Sequence, residues 1–329
     1  AAIDEKHSGE SATALSSCAH RLVMTDTTRK NVEHVLDLAQ ARTPLLIEGD
    51  TGVGKSATVA AAAAMRGKKL LRFNMSSRVT IDGLFGRLSL VPSPNGGPEE
   101  LRFELQLFAK AFAEGYWLLL DELNLAPDNV LQCIESCLDT GTLVLSDPTS
   151  KNRHVVNVHP DFRLFATQNP AVGFFKGKRE RLSPSFLDRF ARMTFDELPV
   201  SEWVVIVQHE LSGAFGQQGA AHGPDKVSEA LASFAPYMVK WHECVCQAIK
   251  SAAFIEKAPY AQITIRELLK WCDSMRASAA AQPTASNLEL VAQLVAEAWL
   301  IYGARFRSTG QEVIRKLVED TKGWGQLGP

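Results

Sequence analysis

Residues Gly49 to Ser56 read GDTGVGKS, which satisfies G-x-x-x-x-G-K-[ST] at every position. Glycines in such a loop let backbone N–H groups curl around a phosphate at the start of a helix, where the amide dipoles favour an anion. Lys55 is expected to reach the β- and γ-phosphates, and Ser56 to hold Mg²⁺. Gly49, Asp50, Thr51, Gly52, Val53 and Gly54 complete the expected binding loop for ATP or ADP. The loop needs a strand before it and a helix after it. "TPLLIEG" supplies a short buried strand, and the alanine-rich "ATVAAAAAM" over 57–65 supplies a helix. Those flanks separate a phosphate loop from a chance glycine turn.

A second group lies downstream. "YWLLLDE" is an apolar strand that delivers Asp121 and Glu122 at its carboxyl end, where open α/β sheets bind ligands. Asp121 is expected to help hold Mg²⁺ through its water shell, and Glu122 to polarise an attacking water. "FATQNP" ends another strand with Gln168 and Asn169. An amide at that place can hydrogen-bond both the water and a γ-phosphate oxygen. Taken singly, an apolar run ending in Asp-Glu is common, and Asn before Pro is a turn former. Their order behind a phosphate loop turns both toward hydrolysis.

These residues need a parallel sheet to carry them. "DTTRKNVEHVLDLAQA" (26–41) reads as an amphipathic helix with Val32, Val35, Leu36 and Leu38 on its apolar positions, and "KKLLRFNMS" as a second strand. Residues 81–101, rich in Gly and Pro, read as an inserted hairpin or loop. Helices are expected over 102–114 and 127–139, and a β-hairpin at "GTLVLSDPTSKNRHVVNV". Strands alternating with helices up to about residue 198 imply an α/β domain with a mainly parallel sheet. Beyond "ELPV" the pattern is helical, interrupted at "SGAFGQQGAAHGPDK" (212–226). The expected organisation is a polar lead-in over 1–21, a nucleotide-binding α/β domain over 22–200 and a helical domain over 201–329.

Composition narrows the class. The 329 residues carry 46% hydrophobic and 22% charged side chains, as ordinary globular domains do. A formal charge of −2 argues against a surface built throughout for polyanions. No apolar run approaches the ~20 residues needed to span a bilayer. The six cysteines, including Cys133 and Cys137 at i,i+4 spacing and Cys244 and Cys246, match no structural zinc spacing and read as buried, reduced thiols. The eight histidines form no H-x-x-x-H pair, and no G-x-S-x-G elbow occurs. The six tryptophans read as core or interface residues. The chain opens on "AAIDEKHSGE", without Met or a signal-peptide pattern, and is expected to be a piece of something longer.

The phosphate loop, the Asp-Glu strand and the amide strand end together identify the chain as a member of the AAA+ ATPases, in which the amide residue is called sensor-1. "EGYWLLLDELNLAPDNVLQCIESCLDTGTLVL", "HPDFRLFATQNPA" and "RERLSPSFLDRF" resemble the midasin family, giant six-module AAA+ proteins of ribosome assembly. The inserted hairpins suit the same branch, which includes MoxR-type and dynein-type modules, and "TIRELLKW" and "IYGARFRS" are similar to its lid patterns. The resemblance covers residues 22 to 320 as one module. Neither D-x-S-x-S nor a long acidic tract is found, so one excised module is expected.

The resemblance implies the remaining roles. Arg189 falls where this branch places its arginine finger, which completes the neighbouring module's site; Arg192 and Arg181 lie close enough to compete for that assignment. Arg266 falls on the lid arginine called sensor-2, which contacts γ-phosphate in the same module; a solvated helix arginine is the alternative. Lys178, Arg179 and Arg181 are candidates to brace the subunit interface, and residues near Met24 and Thr25 to meet adenine. Implied partners are neighbouring AAA+ modules in a six-membered ring, in one long chain or as a homo-oligomer, and protein substrates such as ribosome assembly factors. Membranes and direct sequence-specific nucleic-acid binding are not expected. The implied location is the nucleus or nucleolus. A module that binds nucleotide without turnover and a MoxR-type homohexameric chaperone are the competing readings.

Overall fold

The structure is a computed structural model and describes residues 22–91, 99–146, 153–169, 182–213, 226–250, 263–282, 286–306 and 308–320. The chain divides into two units, the first holding Leu22 and Thr27–Glu197, the second Val23–Asp26 and Leu198 onward.

In the first unit, strands with apolar side chains on both faces build a sheet that must be covered on both sides. The strands are β1 (Leu45–Gly49), β2 (Leu70–Asn74), β5 (Trp117–Asp121), β8 (Arg163–Gln168) and β9 (Ala191–Phe195). They stand in the order β2-β5-β8-β1-β9, and every pairing is parallel. Alternation along each strand sends side chains to opposite layers. Leu118 and Leu120 join Leu46, Leu164 and Ala166 in one core, which takes in α4 (Leu107–Glu114) and α5 (Asp128–Thr140) through Phe108, Phe112 and Ile134. Trp117 and Leu119 join Leu45, Ile47 and Phe165 in the other, closed by α1 (Asp26–Gln40) and α2 (Lys55–Met65) through Val32, Val35 and Val59.

Two antiparallel hairpins interrupt this pattern. One pairs β3 (Gly86–Val91) with β4 (Glu100–Leu105) after the short α3 (Ile81–Leu84); the other pairs β6 (Thr142–Ser146) with β7 (Arg153–Asn157). The helix expected over 102–114 is corrected here: residues 102–105 belong to β4, and the helix begins at Leu107. Period-two alternation of Leu101, Phe103 and Leu105 with Arg102 and Glu104 accounts for the strand. The Phe103 ring packs over Gly86, where a Cβ would stand 2.6 Å from Phe103 Cζ, and stacks face to face on His154 of the second hairpin at 4.7 Å.

The second unit is helical: α7 (Val200–Leu211), α8 (Lys226–Ser233), α9 (Ala235–Lys250), α10 (Ile265–Ala281), α11 (Asn287–Tyr302) and α12 (Ser308–Asp320). α10 and α11 both open with a capping box, Thr264 with Glu267 and Ser286 with Glu289, each of which satisfies two orphan amides at a helix start. Its centre is an edge-to-face aromatic set, with Trp241 4.8 Å from Tyr302 and 5.4 Å from Trp271. Trp271 Nε1 donates to Leu294 O at 3.2 Å, so the buried indole is satisfied. Thr25 belongs to this unit through its hydroxyl, which donates to Glu202.

Among the described residues, Cys133, Cys137, Cys244, Cys246 and Cys272 are free thiols, and burial pushes Cys137 up to about 12. No helix among them is long and apolar enough to cross a membrane.

Candidate nucleotide site

β1, β5 and β8 are neighbours or next neighbours in a parallel sheet, so Gly49, Asp121 and Gln168 all end at one edge. The first loop turns there because Gly49, Gly52 and Gly54 adopt φ of +154°, +97° and +87°, values that L side chains resist. At Gly49 space adds to conformation: a Cβ would lie 2.5 Å from Phe195 O. Val53 packs against the α1–α2 core, and Gly54 caps α2 with its carbonyl accepting from Thr58 N at 2.9 Å. Asp50 contributes its carbonyl while its side chain is exposed, and Thr51 is half-buried.

Lys55, only 8% exposed, folds back across the loop. Its Nζ donates to Gly49 O at 2.6 Å, Asp50 O at 2.8 Å and Asn169 Oδ1 at 2.8 Å. A buried ammonium needs such acceptors, and these hold it at the edge where the three strands end. Ser56 Oγ, one residue on, donates to Asp121 Oδ1 at 2.7 Å. Asn169 Nδ2 stands 3.5 Å from Glu122 Oε1, at the limit of a hydrogen bond. The sheet thus brings together Lys55, Ser56, Asp121, Glu122 and Asn169 from three separate stretches of chain.

Two participants were not anticipated. Thr167 Oγ1 donates to Asp121 Oδ1 at 2.9 Å and accepts from Glu122 N at 3.2 Å, tying both acidic residues to β8. Glu122 itself has φ +55° and ψ +47°, the left-handed region that a non-glycine residue occupies at a cost of ~1–3 kcal/mol. The other is Arg72 on β2, whose Nε donates to Asp121 Oδ2. A charged residue amid "LLRFN" was the only sign of it in the sequence.

Arg189 follows α6 (Pro184–Leu187), which is N-capped by Ser183, and its guanidinium is gripped by α5. Nε and Nη2 meet the two carboxylate oxygens of Asp139 at 2.6 Å each, and Nη1 lies 2.7 Å from Glu135 Oε1. The hydrogen bond to Asp139 raises Arg189 above its ordinary range, and the same bond holds the Asp139 carboxyl below its own. Arg192 is exposed on β9. Lys178, Arg179 and Arg181 lie outside the described residues. Arg266 occupies the first turn of α10, exposed, where the helix dipole disfavours a cation. Its backbone N donates to Thr264 Oγ1 at 3.3 Å, and its guanidinium pairs with no described residue.

Two family models match in tandem. Residues 44–190 match the AAA domain of the dynein-related subfamily, and residues 225–323 match the midasin AAA lid domain. The chain belongs to the AAA+ ATPases, on their dynein-related, midasin-like branch. Midasin of Dictyostelium discoideum is 32% identical over 247 residues, which are 75% of this chain and 4% of that protein. Midasin of Giardia intestinalis is 35% identical over 178 residues, 54% of this chain and 3% of that protein. This AAA+ chain therefore spans only a small part of the length of the midasins it matches. Protein CbbQ of Hydrogenophilus thermoluteolus is 30% identical over 169 residues, 51% of this chain and 59% of that protein.

Proposed function

We propose that this AAA+ module binds Mg-ATP at the sheet edge and hydrolyses it as one member of a ring. The observation that carries the reading is Asn169, whose one amide meets Lys55 through Oδ1 and Glu122 through Nδ2. A side chain so placed can hold a γ-phosphate oxygen and an attacking water in register, which is how phosphoryl transfer is catalysed.

Within this reading the division of labour follows the contacts. The loop from Gly49 to Gly54 surrounds the phosphates with backbone N–H groups, and Lys55 exchanges its carbonyl partners for phosphate oxygens. Glu122, fixed by Thr167, accepts a proton from water as it attacks. Ser56 Oγ and Asp121 are oxygen donors 2.7 Å apart, the ligand type Mg²⁺ requires. Among the described residues no group of three or more His, Cys, Asp or Glu could hold a metal unaided. That suits an ion whose shell is completed by phosphate and water. Bound there, Mg²⁺ would neutralise charge on the transferring phosphoryl group.

Arg189 would act on a neighbouring module's nucleotide and Arg266 on this module's own. Ring assembly would then be needed for full turnover, with the movement of lid against sheet transmitted to neighbours. On the midasin reading the ring works in the nucleus and strips assembly factors from precursors of the large ribosomal subunit. The MoxR-like relatives, CbbQ among them, support a second arrangement, a homohexamer of this chain acting as a chaperone. Sizing the chain with and without ATP separates the two. A stable hexamer supports the homo-oligomer and contradicts a module that works only within one long chain. Binding of a fluorescent ATP analogue tests the site itself: Lys55→Ala should abolish it, and retained affinity would refute the phosphate-loop assignment.

A further inference from the structure

Arg72 has no place in the roles above, yet it makes a direct charged contact in the site. It lies on β2, opposite Leu119 of β5 in the parallel register, with Asn74 opposite Asp121. From there its Nε reaches Asp121 Oδ2, while Ser56 and Thr167 hydroxyls take Oδ1. The Asp121 side chain is 6% exposed and that of Arg72 33%, so the pair is only partly shielded by water. Two hydroxyls hold Oδ1, and the guanidinium adds a bond to Oδ2 together with a positive charge that neither hydroxyl supplies.

We infer that Arg72 is a positioning residue whose guanidinium offsets the Asp121 charge and weakens the site's hold on a free divalent cation. Mg²⁺ then enters chiefly with a nucleotide whose phosphates restore the missing negative charge. A cation held by Ser56 and Asp121 feels the guanidinium through a shared carboxylate, at a range where like charges repel strongly in a partly buried site. The inference rests on the proposed Mg-nucleotide reading and adds a determinant of how strongly metal and nucleotide binding are coupled.

The test measures affinity of the full chain for a fluorescent ADP analogue at saturating Mg²⁺ and in EDTA. The ratio of the two affinities reports metal–nucleotide coupling and cancels any contact that Arg72 itself makes with phosphate in both conditions. Removing the guanidinium in Arg72→Gln should let Mg²⁺ bind the nucleotide-free chain about tenfold more tightly and, by linkage, lower the ratio accordingly. Arg72→Lys, which keeps the charge, should stay near wild type and controls for folding. In an Asp121→Asn background Arg72→Gln should have no further effect, as a double-mutant cycle requires of a coupled pair. An unchanged or increased ratio in Arg72→Gln overturns the inference alone, as does a shift that persists in Asp121→Asn. A wild-type chain that binds no analogue overturns the nucleotide-site reading instead, and the inference with it.

Discussion

Lys55 donates to Asn169 across 2.8 Å, joining the phosphate loop after β1 to the end of β8. The two residues are 114 positions apart in sequence, and the β1–β8 pairing, Glu48 opposite Gln168, places them together. The same asparagine faces Glu122, so it links the lysine of the loop to the candidate base. Asn169→Ala should therefore keep ATP within a few-fold of wild-type affinity and lower turnover by roughly 10²-fold, the size of effect seen when one preorganised donor is removed. Equilibrium binding and steady-state phosphate release check both halves. Equal losses in the two would reduce Asn169 to a binding residue.

Arg189 is bound by its own chain, bidentate to Asp139 and paired with Glu135. A finger acting on a neighbour must exchange the exposed Asp139 and half-buried Glu135 carboxylates for phosphate, and partners open to water are readily exchanged. Arg189→Ala should leave nucleotide affinity of the isolated chain unchanged. In assembled rings it should lower turnover about 10³-fold or more, as loss of a finger supplied in trans does. Loss of ATP binding by the monomer would contradict an action on the neighbour.

In the second unit, His242 is fully buried, with Nδ1 2.7 Å from Tyr302 Oη. Burial depresses it from 6.5 to about 4, against an opposing pull from Glu267. Because the folded value lies below the unfolded one, the unfolded chain binds the extra proton as pH falls. The contribution of His242 is complete above pH 6.5 and is lost progressively down to about pH 4, amounting to about 3 kcal/mol. Urea unfolding followed by tryptophan fluorescence should show that decline in the wild type. His242→Gln should flatten it, and an identical pH dependence in the two would remove His242 as its source.

Much of this arrangement was legible because chemistry and strand ends coincide. GDTGVGKS carries its own punctuation, and the apolar runs before Asp121 and Gln168 announce buried strands that end in polar groups. Period-two alternation in 102–105 runs straight into the helical pattern that starts at Leu107, which is why the sequence extends the expected helix back over these residues. Thr167 was invisible for a different reason. Its role exists only because β5 and β8 are adjacent, and sequence order does not reveal which strands touch. Arg72 shows the same limit, since an arginine on an edge strand ordinarily extends its charge into water. The left-handed backbone of Glu122 leaves no mark in residue type at all.

Glu122 is proposed to activate water at a site whose binding residues do not include it. The most direct measurement compares ATP affinity and single-turnover hydrolysis of assembled wild-type and Glu122→Gln modules. Glu122→Gln should bind ATP within a few-fold of wild type and hydrolyse it slower by at least about 10²-fold, the lower range for loss of a positioned base. Hydrolysis by Glu122→Gln at the wild-type rate would contradict that role.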